Sequence, residues 1–292
     1  MAILNKGLLS TYGFRNPVFL TLCHMLACTA TSRAAVALRM VQHKHVRSGH
    51  QQAKVLALAL IFCVSVVLGN VALKFIPVSF SQAITATTPF FTAIFSWLLL
   101  RRREAGHVYL ALVPIVGGVV VTSGAEPLFN LAGFVASLTA TGLRGFKSVL
   151  QGLLLTHVED KMDSMSLLCH MAPVAASALI PATWLLEPNA LVEANAVASR
   201  HPTFYPALLL SSFLSYFLNL SNFLVTHHTS PLTLQVLGNV KSVAAVVVSL
   251  LVFRNPVTLT SGAGFMVTIW GVAMYSSAKV QRNQAKRSSS SL

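Results

Sequence analysis

SPLTLQVLGNVKSVAAVVVSLLVFRNP, residues Ser230 to Pro256, decides how the rest of this chain is read. At helical rise the run is long enough to cross a bilayer, and a single lysine, Lys241, stands near its middle behind the pair Gly238-Asn239. An ammonium at that depth costs about 2.5–3.5 kcal/mol on insertion scales, so a buried charge of this kind implies a function and a partner. The run itself supplies none. No Asp or Glu follows Glu193 in the chain, so compensation must come from a distant side chain, water or an anionic ligand. The competing reading is that the four-carbon stem of Lys241 snorkels to an interface.

Composition widens this into a class. The 292 residues are 54% hydrophobic and 10% charged, with a mean hydropathy of +0.69, far too apolar for a water-soluble domain. An all-α, polytopic membrane protein is expected. The four cysteines, Cys23, Cys28, Cys63 and Cys169, fall in apolar runs without metal-ligand spacing and read as small core residues. Neither metal nor cofactor is called for. The net charge of +14 is scattered through short connections, which fits membrane orientation better than nucleic-acid binding.

Apolar segments run at roughly 17–38, 53–73, 78–100, 107–125, 130–155, 164–186, 204–226, 231–253 and 258–278, which gives about nine helices. Only 187–203 is long enough to be a true extramembrane loop, and 280–292 reads as a disordered, basic cytosolic tail. Three ordered matches point to a duplication. Asn70 and Asn222 open similar stretches, Gly118-Val-Val-Val-Thr-Ser echoes Gly271-Val-Ala-Met-Tyr-Ser, and Leu-Cys-His-Met occurs at 22–25 and again at 168–171. Two half-repeats follow, 1–128 and 129–279. Five helices per half would invert one half against the other, and the first of the ten is then expected to be missing from this chain, with 4–6 as its remnant.

Charge placement tests that topology. With the tail in the cytosol, twelve of the 21 Lys and Arg residues lie on the cytosolic side and five, Lys6, Arg15, Lys74, Arg200 and Arg254, on the other. Four remain inside spans: Arg33, Arg144, Lys147 and Lys241. All seven acidic residues sit in loops or at span edges, so no intramembrane carboxylate is present to carry a coupling proton or sodium ion. A cationic interior without counter-charge suits an anionic solute exchanged for another anion.

Lys147 is the second anchor, in TATGLRGFKSVLQGLLL, with Arg144 three residues before it on the same face. Gly142 and Gly145 allow close helix packing there. Reach to headgroups at the end of a tilted helix is the competing reading for both cations. Further candidates are Asn219 and Asn222 with Tyr216, spaced three apart, and Gln82 and Thr85 near Pro89, where interhelical hydrogen bonding is the alternative role. His24 and His170 read as packed core histidines.

SPLTLQVLGNVKS and VVVSLLVFRNPVT, with NPVFLTLCHM, FCVSVVLGNVAL, VSFSQAITATTPFFTA and KSVLQGLLL, resemble the plant triose-phosphate translocator/nucleotide-sugar transporter family of the drug/metabolite transporter superfamily. The resemblance covers nearly the whole chain. It implies inverted five-helix repeats, alternating access and antiport of an organic phosphate, with a family lysine that matches Lys241, and Lys147 and Asn239 are expected beside it at the substrate. Plastid members that carry phosphate have an arginine after the lysine, where Ser242 stands here, and another lysine where this chain has Thr85. The pattern therefore resembles the endomembrane branch, which exchanges UDP-sugars for UMP in Golgi or ER membranes. A plastid sugar-phosphate/phosphate antiporter of the inner envelope and a truncated, non-transporting paralogue stand as alternatives, and association of two copies is allowed. An enzyme is not expected, because no nucleophile and base constellation is present.

Overall fold

The computed structural model describes residues 7–39, 48–76, 78–101, 129–156 and 161–238, with a few isolated positions elsewhere. Among the described residues there is no strand. Eight α-helices are described: α1 Pro17–Ala37, α2 Gly49–Ala72, α3 Val78–Thr85, α4 Thr88–Leu100, α5 Leu131–Thr156, α6 Ser164–Leu186, α7 Ala190–Arg200 and α8 Phe204–His228. Four of them, α1, α2, α6 and α8, are long and apolar enough to cross a membrane. The 26-residue α5 is long enough too, but polar residues recur along it and lower its hydropathy. The expected spans at 231–253 and 258–278 lie mostly outside the described residues, apart from helical turns at 231–238, and most of 107–125 does as well.

The chain packs as two compact units, one of residues 1–70 and 150–230, the other of 71–149 and 231–292. These cut across the sequence halves at 1–128 and 129–279. The expected halves rest on sequence likeness alone, while the packing units record which helices share a core.

In the first unit, α1, α2, α6, α8 and the end of α5 enclose one core that includes Met25, Leu58, Leu154, Leu168, Leu179 and Phe223. Helices α1 and α6 run antiparallel, since Val18 near the start of α1 meets Glu187 at the end of α6 while Arg33 and Val36 lie beside Cys169 to Ser177. The two Leu-Cys-His-Met copies therefore sit on adjacent antiparallel helices. The outward surface is apolar: Leu56, Leu60 and Val64 line one face of α2, and Leu209, Phe213 and Phe217 line α8. Water would penalise such a surface, and lipid does not.

One end of this unit is closed by polar chemistry. Pro17 and the unpaired amides after it leave orphan donors at the start of α1. The Glu187 carboxylate accepts from the Val18 and Phe19 amides at 2.9 and 2.8 Å. Asn16 Nδ2 donates to Glu193 Oε2 at 2.6 Å, and Tyr12 pairs with Thr203 at 2.9 Å. Residues 187–203, expected to be a loop, instead contain α7. Its Glu193 lies in the first turn and Arg200 in the last, each sign placed to favour the helix dipole. Leu8, Phe14, Leu20, Ala194, Phe204 and Leu208 pack beneath this cap.

In the second unit, the expected continuous span at 78–100 is broken into α3 and α4. Pro89 has no amide hydrogen for the Thr85 carbonyl four residues back, and its ring crowds that carbonyl. The Thr88 hydroxyl donates to the Thr85 oxygen instead, and the Thr87 hydroxyl donates to that of Ile84 at 2.7 Å. Ala72, Ile76, Phe80 and Ile84 form a small core against Phe134, Ala136 and Leu138 of α5. Gly145 lets α5 lie against the start of α4, since a Cβ there would stand 2.9 Å from Phe91 Cβ and 3.0 Å from the Thr92 nitrogen. Gly145→Ala is expected to cost about 1–3 kcal/mol through this overlap. At Gly142 an added Cβ would meet only a Phe91 ring carbon at 3.7 Å, so Gly142→Ala is expected to be tolerated. Thermal unfolding of the two variants in detergent checks the contrast, and equal midpoints would refute it.

Candidate functional site

Helix α5 carries the site in the second unit. Along it, Ser137, Thr141, Arg144, Ser148 and Gln151 recur at intervals of three and four, which places them on one face. Four of them reach another helix. Ser137 meets Ser81 at 3.4 Å, Arg144 Nη1 donates to Thr85 Oγ1 at 3.1 Å, and the Gln235 amide donates to Ser148. Gln151 belongs to the first unit, where it is fully buried and donates to Thr226 Oγ1 at 2.7 Å. Its Oε1 is buried and has no hydrogen-bond partner among the described residues.

Arg144 reaches the point where α3 ends and the chain breaks. The last carbonyls of α3 form the negative end of its dipole, so the guanidinium is anchored there by a hydroxyl and a favourable field. No carboxylate neutralises it in that contact. Lys147 lies three residues further on the same face and is half-buried. The three described carboxylates are used elsewhere, as Asp163 caps α6 through the Ser166 amide and Glu187 and Glu193 close the cap around α1. A broken helix with two neighbouring cations is the arrangement that holds a multi-oxygen anion, with the guanidinium offering fixed donors and the ammonium a movable point charge.

The sequence matches the profile of the Triose-phosphate Transporter family over residues 1–276. The chain belongs to that family. It is 53% identical to a probable sugar phosphate/phosphate translocator of Arabidopsis thaliana over 97% of this chain and 91% of that one. It is 49% identical to UDP-uronic acid transporter 1 of the same plant, over 95% of this chain and 90% of the other. UDP-galactose transporter 1, also from Arabidopsis thaliana, is 34% identical over 94% and 81%. A crystal structure with 18% identity superposes with a TM-score of 0.66 over 94% of each chain, a likeness of fold alone. This member of the Triose-phosphate Transporter family is thus a polytopic transporter of nucleotide sugars or sugar phosphates and not an enzyme.

The predicted site residues fall into three groups. Thr85, Arg144 and Lys147 belong to the second unit, and Arg144 and Thr85 are in contact. Gln82 is exposed on α3 and lies apart from that hydrogen bond. Tyr216, Asn219 and Asn222 belong to the first unit. Tyr216 is buried with its hydroxyl 3.2 Å from Met165 Sδ, Asn219 Nδ2 donates to the Ser215 carbonyl at 2.9 Å, and the Asn222 carbonyl accepts from Thr226 Oγ1 at 2.9 Å. Lys241 and Asn239 lie outside the described residues. Ser148, Gln151, Thr226 and Gln235 were not among the predicted residues. The heptad-like spacing of polar groups along an otherwise apolar α5 is the signal that finds the first two.

His24 behaves as a packed core histidine, with Nε2 3.2 Å from Ser211 Oγ. Its repeat partner His170 instead borders an open groove.

Proposed function

We propose that this transporter is an antiporter that brings a cytosolic UDP-sugar across a Golgi or ER membrane in exchange for luminal UMP, by alternating access. The hydrogen bond from Arg144 to Thr85 at a helix break carries this reading, because it holds a cation inside the bundle with Lys147 beside it. In the proposed cycle these cations grip the phosphoryl oxygens together with Lys241. Exchange of one phosphate-bearing anion for another spares the protein the cost of an empty, doubly charged cavity. The similarity to UDP-uronic acid transporter 1 and UDP-galactose transporter 1 supports a nucleotide-sugar cargo.

A second reading, exchange of a sugar phosphate for inorganic phosphate at a plastid envelope, is favoured by the 53% identity to a probable sugar phosphate/phosphate translocator. Proteoliposomes separate the two. With UMP inside, labelled UDP-glucuronic acid outside should enter several times faster than into buffer-loaded vesicles. Stimulation by internal inorganic phosphate but not by UMP selects the second reading, and uptake indifferent to either internal anion overturns both.

A further inference from the structure

Within the first unit, α1 and α6 border an open groove of about 680 Å³. Arg33, His170 and Ser177 give it polar groups, and Val36, Pro173 and Val174 give it apolar ones. Arg33 is exposed and lies one helical turn before the end of α1, about 6 Å in from Ala37 at helical rise. Pro173 cannot donate to the Cys169 carbonyl four residues back, so the groove wall also contains an acceptor freed from helix bonding.

Two observations say what such a groove meets. Arg39 follows α1, Lys54 lies in the second turn of α2 and Lys161 precedes α6, so among the described residues three cations against the single carboxylate of Asp163 leave positive charge at the end of the helices where the groove opens. The faces that form the groove continue along the same helices as exposed apolar side chains. Seven residues from Arg33 stands Leu26, 49% exposed, and seven from Ser177 stands Trp184, 73% exposed, with Ile180 between. A cationic head region that runs into an apolar outer track has the polarity of a phospholipid, headgroup at one end and acyl chain along the other.

We propose that the groove between α1 and α6 is a binding site for an anionic phospholipid, with Arg33 on the headgroup phosphate and the track through Leu26, Ile180 and Trp184 under an acyl chain. A free phosphate ester shares the headgroup chemistry but gains nothing from the track.

Native mass spectrometry of the purified full chain tests the site, with phosphatidylinositol or phosphatidylcholine added in turn. The wild type should retain phosphatidylinositol in preference, and Arg33→Gln should lower that retention about fivefold, the worth of one basic contact near an anionic headgroup. Arg101→Gln, which removes an exposed arginine from the second unit, should leave it unchanged. Ser177→Trp fills the groove without touching charge and should also reduce retention, which keeps the test alive if Arg33→Gln cannot be purified. Retention equal to wild type in either groove variant overturns the proposal. Displacement of the lipid by excess UMP or inorganic phosphate overturns it as well, since the groove would then hold a soluble phosphate.

Discussion

Proteoliposomes carrying Lys147→Ala are expected to lose exchange by about 30-fold or more. Removal of one member of a desolvated charge contact costs ~2 kcal/mol or more, and that energy is needed whenever the anion occupies the site. Arg144→Ala should show a loss of the same order, because it removes the cation whose position at Thr85 is fixed by a 3.1 Å hydrogen bond. Thr85→Val is the informative intermediate. It leaves both charges in place and removes only the hydroxyl that aims the guanidinium, so a loss of about tenfold is expected, the lower end of the worth of a single hydrogen bond to a charged group. Initial rates against internal and external substrate concentration check the series. Full activity in both alanine variants would remove these two residues from the transport path, whereas loss in Arg144→Ala alone would make Lys147 a bystander at a headgroup.

Glu187→Ala should lower the thermal midpoint of the detergent-solubilised chain by roughly 5–10 °C, corresponding to about 2–3 kcal/mol. Two backbone amides at the start of α1 lose a charged acceptor at 2.8 and 2.9 Å, and no other side chain caps that end. Pro17 sets the direction of the helix at its first position without supplying an acceptor, so nothing local replaces the carboxylate. Glu187→Gln keeps an oxygen without the charge and is expected to fall about halfway. Circular-dichroism melts of the three forms decide the matter, and a midpoint in Glu187→Ala equal to wild type would show that the cap contributes nothing.

Much of the fold was legible because the helices have strong borders. Asn16-Pro17 opens α1, Asp163 opens α6, and the runs expected at 17–38, 53–73, 130–155, 164–186 and 204–226 keep their positions within a few residues. Within 78–100 a kink is expected at Pro89, but the full break into two helices goes further than that. Mean hydropathy registers that proline as one residue among many, whereas the backbone registers it as a lost hydrogen bond. Helix α7 was hidden for the opposite reason. ALVEANAVASR does place Ala190, Ala194, Val197 and Ala198 at helical spacing, but a stripe of such small side chains and two end charges are weak signals in a chain this hydrophobic.

At the site, sequence spacing placed Arg144 and Lys147 together on one helix, which needs only the period of 3.6. It could not assign Arg144 to Thr85, a pairing across 59 positions that depends on how closely α5 approaches the break. Gly145 made that approach readable as close packing but not its partner. The spacing of Tyr216, Asn219 and Asn222 likewise says which residues share a side and not what that side confronts, so the sulfur that Tyr216 meets and the carbonyl that Asn219 meets were not readable from it.

The polar ridge of α5 also bears on how the protein is made. A helix with Arg144, Lys147 and Gln151 in its second half partitions poorly into lipid alone, as each cation adds about 2.5–3.5 kcal/mol at mid-depth on insertion scales. During synthesis Ser81 and Thr85 leave the ribosome before α5, while Thr226 and Gln235 emerge after it, so the ridge finds half of its contacts waiting and the other half still to come. Residues 131–156 are therefore expected to complete their polar contacts only once the chain through Gln235 has been made.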